Sequence, residues 1–316
     1  MAHVKCCVLE VHAHACTQFE HFHAGEVAVH SDWGIDTDGY EQVSKQMMLP
    51  EMNPEERLFI SALTFSFAGT VDDSGRPWAS PLFAVGSQSL FDITSPTGMT
   101  IRTGLGNGDP LLSNIEANNE LSVVFFETST RRRAKSIGTG TVGEAGEISY
   151  EMKRIFGICP KYIFKREHTP SIEASEHRPE ARVELDAADR VQLRHADTIF
   201  FASHSPHGAD VTHRGGPPGF IRILDARTLE IPDYLGNGMF NTLGNLRLDD
   251  RLAITTVDFE NGRTIQMTGR ATEESTGLAL PEPERMVVFH IDDVLVSWAP
   301  VGHWDHIEPS RYTPSP

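Results

Sequence analysis

The segment from Val211 to Asn245 concentrates the residues of this chain that are suited to binding an anionic ligand. His213 and Arg214 end an apolar stretch and precede a rigid run of glycines and prolines, Gly215 to Gly219. An arginine can hold a phosphate through two parallel N–H donors, and glycine lets a backbone pass close to a ligand. Such pieces also occur in ordinary turns. Their density between two plain strands favours a binding surface.

The second half of this segment adds a turn and the start of a helix. Pro232 to Tyr234 ends a predicted strand, and the turn from Gly236 to Gly238 follows it. A helix beginning near Met239 would offer free backbone N–H groups to an anion. Asn241 and Asn245 would share one face of that helix. The segment therefore predicts a site assembled from a strand end, a turn and a helix start.

The elements that must position this site come from a repeat with an offset near 130 residues. Each copy has an apolar strand, a turn with glycine, a second strand, a short helix carrying Leu-Ser-Asn or Leu-Gly-Asn, and a strand rich in β-branched and aromatic residues. A repeat of this length indicates a duplicated domain rather than a solenoid. The paired stretches are 63–84 with 197–216, 110–127 with 240–258, and 134–142 with 264–272.

Within each copy the strands are short, bounded by Gly, Pro, Asn and Asp, and arranged as hairpins. Ile221 to Leu224 and Leu229 to Pro232 form one such hairpin. A helix is predicted over Pro54 to Leu63 after the N-cap Asn53, a second over Glu147 to Lys165, and a third from Ala187. Repeated strand–helix alternation and a dinucleotide-binding glycine motif are missing from the sequence. The fold class predicted is all-β, with a small barrel in each copy.

Composition limits the classes of function. The formal net charge is −17, with 44 acidic and 27 basic residues, which disfavours nucleic-acid and membrane-surface partners. The 39% hydrophobic content is sufficient for packed cores, and no apolar run is long enough for a membrane helix. Three of the four cysteines lie near the N-terminus, so a disulfide framework is not expected. We therefore expect a cytoplasmic location. Cys6, Cys7, Cys16 and nearby histidines lack the paired spacing of a zinc site, so no metal site is predicted.

The second copy resembles the flavin-nucleotide-binding proteins related to pyridoxamine 5′-phosphate oxidase. The likeness lies in the residues His213 to Phe220, Ile231 to Tyr234, Gly236-Asn237 and Leu243 to Asn245. Phe156 to Tyr162 resembles a Cys-Pro-Lys-Tyr element of this group, and Phe22 to Glu26 resembles an N-terminal element of its two-copy members. The resemblance covers most of the chain from about residue 22.

This resemblance implies tandem six-stranded split β-barrels with FMN bound between two barrels. The two copies would supply both sides of that interface, or the chain would form a homodimer. Arg214 and the turn leading to Asn245 would hold the ribityl phosphate, the strand ending at Tyr234 would flank the isoalloxazine ring, and Lys161 would approach from a linker helix. The implied cofactor-binding residues are His213, Arg214, Gly215, Asp233, Tyr234, Asn237, Asn241, Leu243, Gly244 and Asn245.

The predicted organisation is an N-terminal extension (1–50), a first barrel copy (51–146), a helix and linker (147–190), and a second copy with the main flavin site (191–316). The C-terminal segment from Trp298 lacks the paired arginines of the classical oxidase, so pyridoxamine phosphate is not the expected substrate. The leading hypothesis is an FMN-dependent oxidoreductase acting on a small molecule. Two alternatives stay open. One is a non-catalytic flavin-binding protein, and the other is a haem-binding barrel with His204, His207, His213 or His290 as axial ligand.

Overall fold

The computed structural model describes residues 20–171, 177–236, 238–276 and 285–313. Two helices, α1 (Ala24–Asp32) and α2 (Thr37–Met47), precede two antiparallel sheets of eight strands each. None of the helices in these ranges is long and apolar enough to span a membrane. Cys6, Cys7 and Cys16 lie outside the described residues.

The first copy contains two helices and eight strands. In chain order they are β1 (Met48–Leu49), α3 (Pro54–Ser61), β2 (Phe65–Val71), β3 (Pro77–Phe83), β4 (Phe91–Ile93), β5 (Gly98–Ile101), α4 (Leu111–Asn118), β6 (Glu120–Glu127), β7 (Arg132–Val142) and β8 (Ile148–Gly157). A connecting strand, β9 (Lys165–Thr169), follows this copy and pairs near the C-terminus with β18 (His303–Glu308).

The second copy repeats this series of elements. They are β10 (Glu180–Arg182), α5 (Ala187–His195), β11 (Thr198–Ser205), β12 (Gly208–Gly215), β13 (Arg222–Ile223), β14 (Thr228–Asp233), α6 (Asn241–Leu246), β15 (Arg251–Val257), β16 (Arg263–Ser275) and β17 (Arg285–Trp298).

The strand orders of the two sheets are the same, element for element. They are β3-β2-β6-β7-β8-β5-β4 in the first copy and β12-β11-β15-β16-β17-β14-β13 in the second, with β1 added on β8 and β10 on β17. This confirms the small barrel in each copy that the repeat predicted and the tandem split β-barrels that the resemblance implied. Each sheet has eight strands rather than the six implied by the resemblance, because short strands extend each barrel at its edges.

Capping boxes begin three of the six helices of the described residues, α1, α3 and α5. Asn53 accepts from the backbone N–H of Glu56, whose side chain accepts from the N–H of Asn53, so a complete capping box begins α3.

The helix predicted over Glu147 to Lys165 is wrong, because Ile148–Gly157 of this stretch form β8. Ile148, Tyr150 and Met152 are buried while the residues between them are exposed, which is the alternation of a half-buried strand. The spacing that suggested a helix is compatible with both periods over so short a run.

Each barrel has its own apolar core, and a third cluster joins the two copies. Phe67 of β2 and Phe200 of β11 stack across this junction with ring centroids 3.5 Å apart. Thr255 Oγ1 donates to the Ala79 carbonyl oxygen, 2.7 Å away, from the other copy. The two copies therefore supply both sides of a barrel–barrel interface within one chain.

The N-terminal helix braces α6 of the second copy. A side chain at Gly25 would collide with the Gly244 carbonyl, so the two backbones are in close contact. His23 Nε2 lies 2.8 Å from Asn245 Oδ1, and Asn241 donates to Glu26. Burial raises the pKa of the Glu26 carboxyl. The element resembling two-copy relatives thus holds one wall of the predicted site.

Candidate functional site

A cleft between the two copies is lined by five of the ten predicted cofactor-binding residues. It encloses about 610 Å³, open space at its mouth included. The first copy supplies side chains of β7 and the residues that follow β8, and the second supplies the ends of β12 and β14 and the start of α6. Its lining residues include Arg133, Lys135, Ile158, Cys159, Thr212, His213, Arg214, Asp233, Tyr234, Asn241 and Thr242.

Lys135 projects from β7 into the junction between the copies. It is 1% exposed, and its Nζ lies 2.6 Å from Asp210 Oδ1 and 3.3 Å from Asn241 Oδ1. The Asp210 oxygens accept no hydrogen bond of good geometry from the described residues, so charge attraction dominates this pair. A buried ammonium with so few partners can donate a hydrogen bond to an acceptor atom of a ligand.

Arg133 and His213 face each other across the copies. Arg133 Nη1 donates to His213 Nδ1 over 2.7 Å. Because arginine cannot accept a hydrogen bond, Nδ1 of His213 must be unprotonated, and the neutral ring carries its proton on Nε2. Burial, with Arg133 and Arg214 adding to it, holds the pKa of His213 well below its usual range. His213 is therefore a neutral donor whose buried Nε2 has no hydrogen-bond partner among the described residues.

Arg133 is the cation in the cleft without an anionic partner. Among the described ranges, no carboxylate lies within ion-pair distance of it, and its buried Nε makes no hydrogen bond. Burial lowers the pKa of Arg133 to about 10, and the nearby charge of Arg214 also lowers it. A half-buried guanidinium left charged in this way is stabilised when a ligand brings a negative group.

Arg214 is held at the end of β12 by a carboxylate. Asp233, at the end of β14, pairs with Arg214 and also with Arg285, whose Nε lies 2.9 Å from Asp233 Oδ2. The Nε of Arg214 has no partner among the described residues. Asp233 therefore positions Arg214 rather than facing an anionic ligand itself.

Aromatic rings flank the outer part of the cleft. Tyr162 and Tyr234 stack with ring centroids 5.3 Å apart, and the Tyr162 hydroxyl donates to the Leu235 carbonyl. An adjoining cavity of about 380 Å³ continues the cleft past these rings and is lined by Lys161 and Gly215. Lys161 lies in the turn after β8 rather than on the predicted linker helix.

The predicted site residues fall into three groups. Lining the cleft or its continuation are His213, Arg214, Gly215, Asp233, Tyr234 and Asn241. Behind it, Leu243 is buried in the second core, Gly244 packs on α1, and Asn245 bonds His23 and Ser203. Asn237 lies outside the described residues.

Sequence reasoning missed the contribution of the first copy, above all Arg133 and Lys135. One signal was available. Lys135 interrupts a strand of small and apolar residues, and lysine is seldom found inside a barrel strand unless it is paired or functional.

No protein-family model matches the sequence, and no curated protein matches it. Among solved structures, HupZ of Group A Streptococcus matches at 14% identity and a TM-score of 0.30, over 37% of this chain and 100% of HupZ.

Two further matches are similar in extent. A Lactobacillus delbrueckii protein provisionally named pyridoxamine 5′-phosphate oxidase matches at 15% identity and a TM-score of 0.30, over 36% of this chain and 94% of its own. A FAD-binding protein of Mesorhizobium loti matches at 13% identity and a TM-score of 0.27, over 38% and 99%. Each match spans about a third of this chain, and the two-barrel fold is established here by the chain's own strand order and register.

Proposed function

We propose that the inter-copy cleft binds FMN and that the protein is an FMN-dependent oxidoreductase acting on a small molecule. The observation that carries the proposal is Arg133, a half-buried cation that has no carboxylate partner among the described residues and whose buried Nε makes no hydrogen bond there. It lies beside Lys135 and Arg214 in the cleft. The chain as a whole is strongly acidic, with a net charge of −17, so the unpaired cation in the cleft is opposite in sign to the overall charge. The resemblance of the His213 to Asn245 block to flavin-nucleotide-binding proteins supports the same assignment.

In this proposal the residues of the cleft bind and orient the cofactor. Arg133 and Arg214 offer guanidinium N–H groups to a phosphate, and the unpartnered Nε2–H of His213 offers a donor to a ligand acceptor atom. Tyr234 flanks the cleft with an aromatic face suited to a planar ring. Bound FMN would supply the electron transfer, so the cleft needs no acid–base pair of its own.

The same geometry disfavours haem as the ligand of His213. A histidine that binds iron through Nε2 must carry its proton on Nδ1. Arg133 donates to Nδ1 of His213 and so excludes a proton there. His204 pairs with Glu120, His207 lines a different pocket with His21 and His23, and His290 is exposed, so none of the three lines the cleft. Flavin is therefore favoured over haem.

The first test is the absorbance spectrum of the protein purified without added cofactor, with mass spectrometry of any released compound. Flavin maxima and released FMN are the expected result. A strong near-ultraviolet haem band, or failure to take up added FMN, would refute the assignment. Reduction of the bound flavin by NADH or NADPH, followed by reoxidation by an acceptor, distinguishes an enzyme from a storage protein. Homodimer formation stays a prediction, to be checked by the solution mass.

Arg133→Gln tests the site itself. Losing charge-assisted hydrogen bonds worth about 2 to 3 kcal/mol is expected to weaken FMN binding roughly 30- to 150-fold. Arg132→Gln is the matched control, because Arg132 is the neighbouring residue on β7 but is exposed and contacts the Phe59 ring. Equal FMN affinities for the two variants would count against the proposed site.

A further inference from the structure

The duplicated topology allows the cleft to be compared with its counterpart in the first copy. In both sheets the strand register shifts next to a glycine, between Ile137 and Gly138 in β7 and between Thr268 and Gly269 in β16. Three residues before these glycines stand Lys135 and Gln266. Gln266 is therefore the counterpart of Lys135, and the counterpart position has no cation.

Two further pairs of counterpart residues follow from the same comparison. The first pair is found from Phe67 and Phe200, which stack across the junction. The next residues, Ala68 and Phe201, pair with Ser80 and Thr212 respectively, so Ser80 is the counterpart of Thr212.

Asn114 of α4 and Asn245 of α6 bond the matching hydroxyls of Thr70 and Ser203. Leu111 and Thr242 stand three residues before these two asparagines and are likewise counterparts. Lys135 of the first copy and Thr212 and Thr242 of the second copy all line the cleft.

The three counterparts, Ser80 and Leu111 of the first copy and Gln266 of the second, converge on the carboxylate of Asp109 in the first copy. Ser80 Oγ lies 2.7 Å from Asp109 Oδ1, the Leu111 backbone N–H donates to the same oxygen over 2.9 Å, and Gln266 Nε2 lies 3.1 Å from Oδ2. Asp109 as a residue is partly exposed, but Ser80, Leu111 and Gln266 are fully buried, so the carboxylate itself is removed from water. A side-chain anion of the protein thus occupies the position that the cleft leaves open.

The loop that carries Asp109 also closes the space around it. A Cβ at Gly106 would lie 2.7 Å from Ser297 Oγ, and a Cβ at Gly104 would lie 2.6 Å from Pro300 Cγ, so this loop packs directly on the residues around the end of β17. Gln266 pairs with Leu295 and Lys135 pairs with Phe156, so Leu295 and Phe156 are counterparts. Counting on from them, Ser297 and Trp298 match Ile158 and Cys159, which line the open cleft.

We propose that the first copy's counterpart of the cleft is filled by the Asp109 carboxylate, so that the chain holds one ligand rather than two. The identity of that ligand as FMN rests on the proposed function; the closure by Asp109 does not. Removing the Asp109 side chain should leave a small anion site bounded by Ser80 Oγ, the Leu111 N–H and Gln266 Nε2.

The first experiment measures bound FMN per chain at saturation, by equilibrium dialysis of the flavin-free full chain. One FMN per chain is expected, and Gln266→Met is expected to leave this number unchanged. Two FMN per chain would overturn the closure. If no FMN binds, the proposed function fails, and the second experiment still decides the closure.

The second experiment is rescue of Asp109→Ala by formate, a free carboxylate small enough to replace the lost one. At a formate concentration about ten times its Kd, the Tm of Asp109→Ala should rise about 2 °C more than that of the wild type, with chloride at equal ionic strength as reference. Asp38→Ala, which removes an exposed carboxylate, is the control and should behave as wild type. Equal shifts for all three proteins would overturn the proposal. Should Asp109→Ala not fold, the wild-type stoichiometry decides between one site and two.

Discussion

Asp109→Asn isolates the energetic effect of placing a carboxylate in the closed site. The substitution keeps the shape of the side chain and removes its charge. Desolvation raises the pKa of Asp109 to about 6 from 3.8, although hydrogen bonds from Ser80, Leu111 and Gln266 act in the opposite direction. Burial of the charge therefore outweighs the three hydrogen bonds, so the folded state binds the proton more tightly than the unfolded chain does, while Asp109 remains an anion above about pH 6.

The sign of the pH dependence follows from the direction of this shift. Between pH 3.8 and about 6 the folded protein binds a proton at Asp109 that the unfolded chain has released, so Asp109 favours folding at low pH and loses this contribution as pH rises through about 6. The full shift corresponds to about 3 kcal/mol at 1.36 kcal/mol per pKa unit. Between about pH 4.5 and 7.5 roughly 2 kcal/mol of it is realised.

The assay is urea unfolding of flavin-free wild type and Asp109→Asn, followed by tryptophan fluorescence at pH values from about 4.5 to 7.5. The stability of wild type relative to the variant should fall by roughly 2 kcal/mol across this range. Other titrating groups are shared by both proteins and cancel in the difference. Asp38→Asn, at an exposed position, should track the wild type. A constant difference between wild type and Asp109→Asn would refute the reasoning that the carboxylate is desolvated.

Three further predictions concern stability and are measured by urea unfolding. Phe200→Ala removes the ring stacked on Phe67 and is expected to cost about 3 to 5 kcal/mol; a loss below about 1 kcal/mol would show that the copies do not depend on this stack. Lys135→Met leaves the Asp210 charge unpaired and is expected to cost about 3 to 5 kcal/mol, much of which the double variant with Asp210→Leu should recover; additive losses would mean that the two charges are not coupled. Asn53→Ala removes the cap of α3 and is expected to cost about 1 kcal/mol, whereas no loss would mean that the capping box does not stabilise the folded state.

The sequence alone indicated the duplication, the hairpin order, the capped helices and the block from His213 to Asn245. These features depend on periodicity, turn residues and caps, whose physical causes act over a few neighbouring residues. The prediction failed at β8, where ten residues are too few to separate a helical from a strand period. Nothing local distinguishes the two there, and pairing with β7 decides the outcome.

The tertiary structure alone determined how the cleft is completed and why its counterpart is closed. Arg133 and His213 are far apart in sequence and meet because packing around Phe67 and Phe200 sets β7 of one copy beside β12 of the other. The sequence shows that the two matching positions hold Lys135 and Gln266, but it does not show how this difference affects the cleft and its counterpart. It depends on Asp109 reaching Gln266 across the junction, a contact between distant residues that local pattern does not encode.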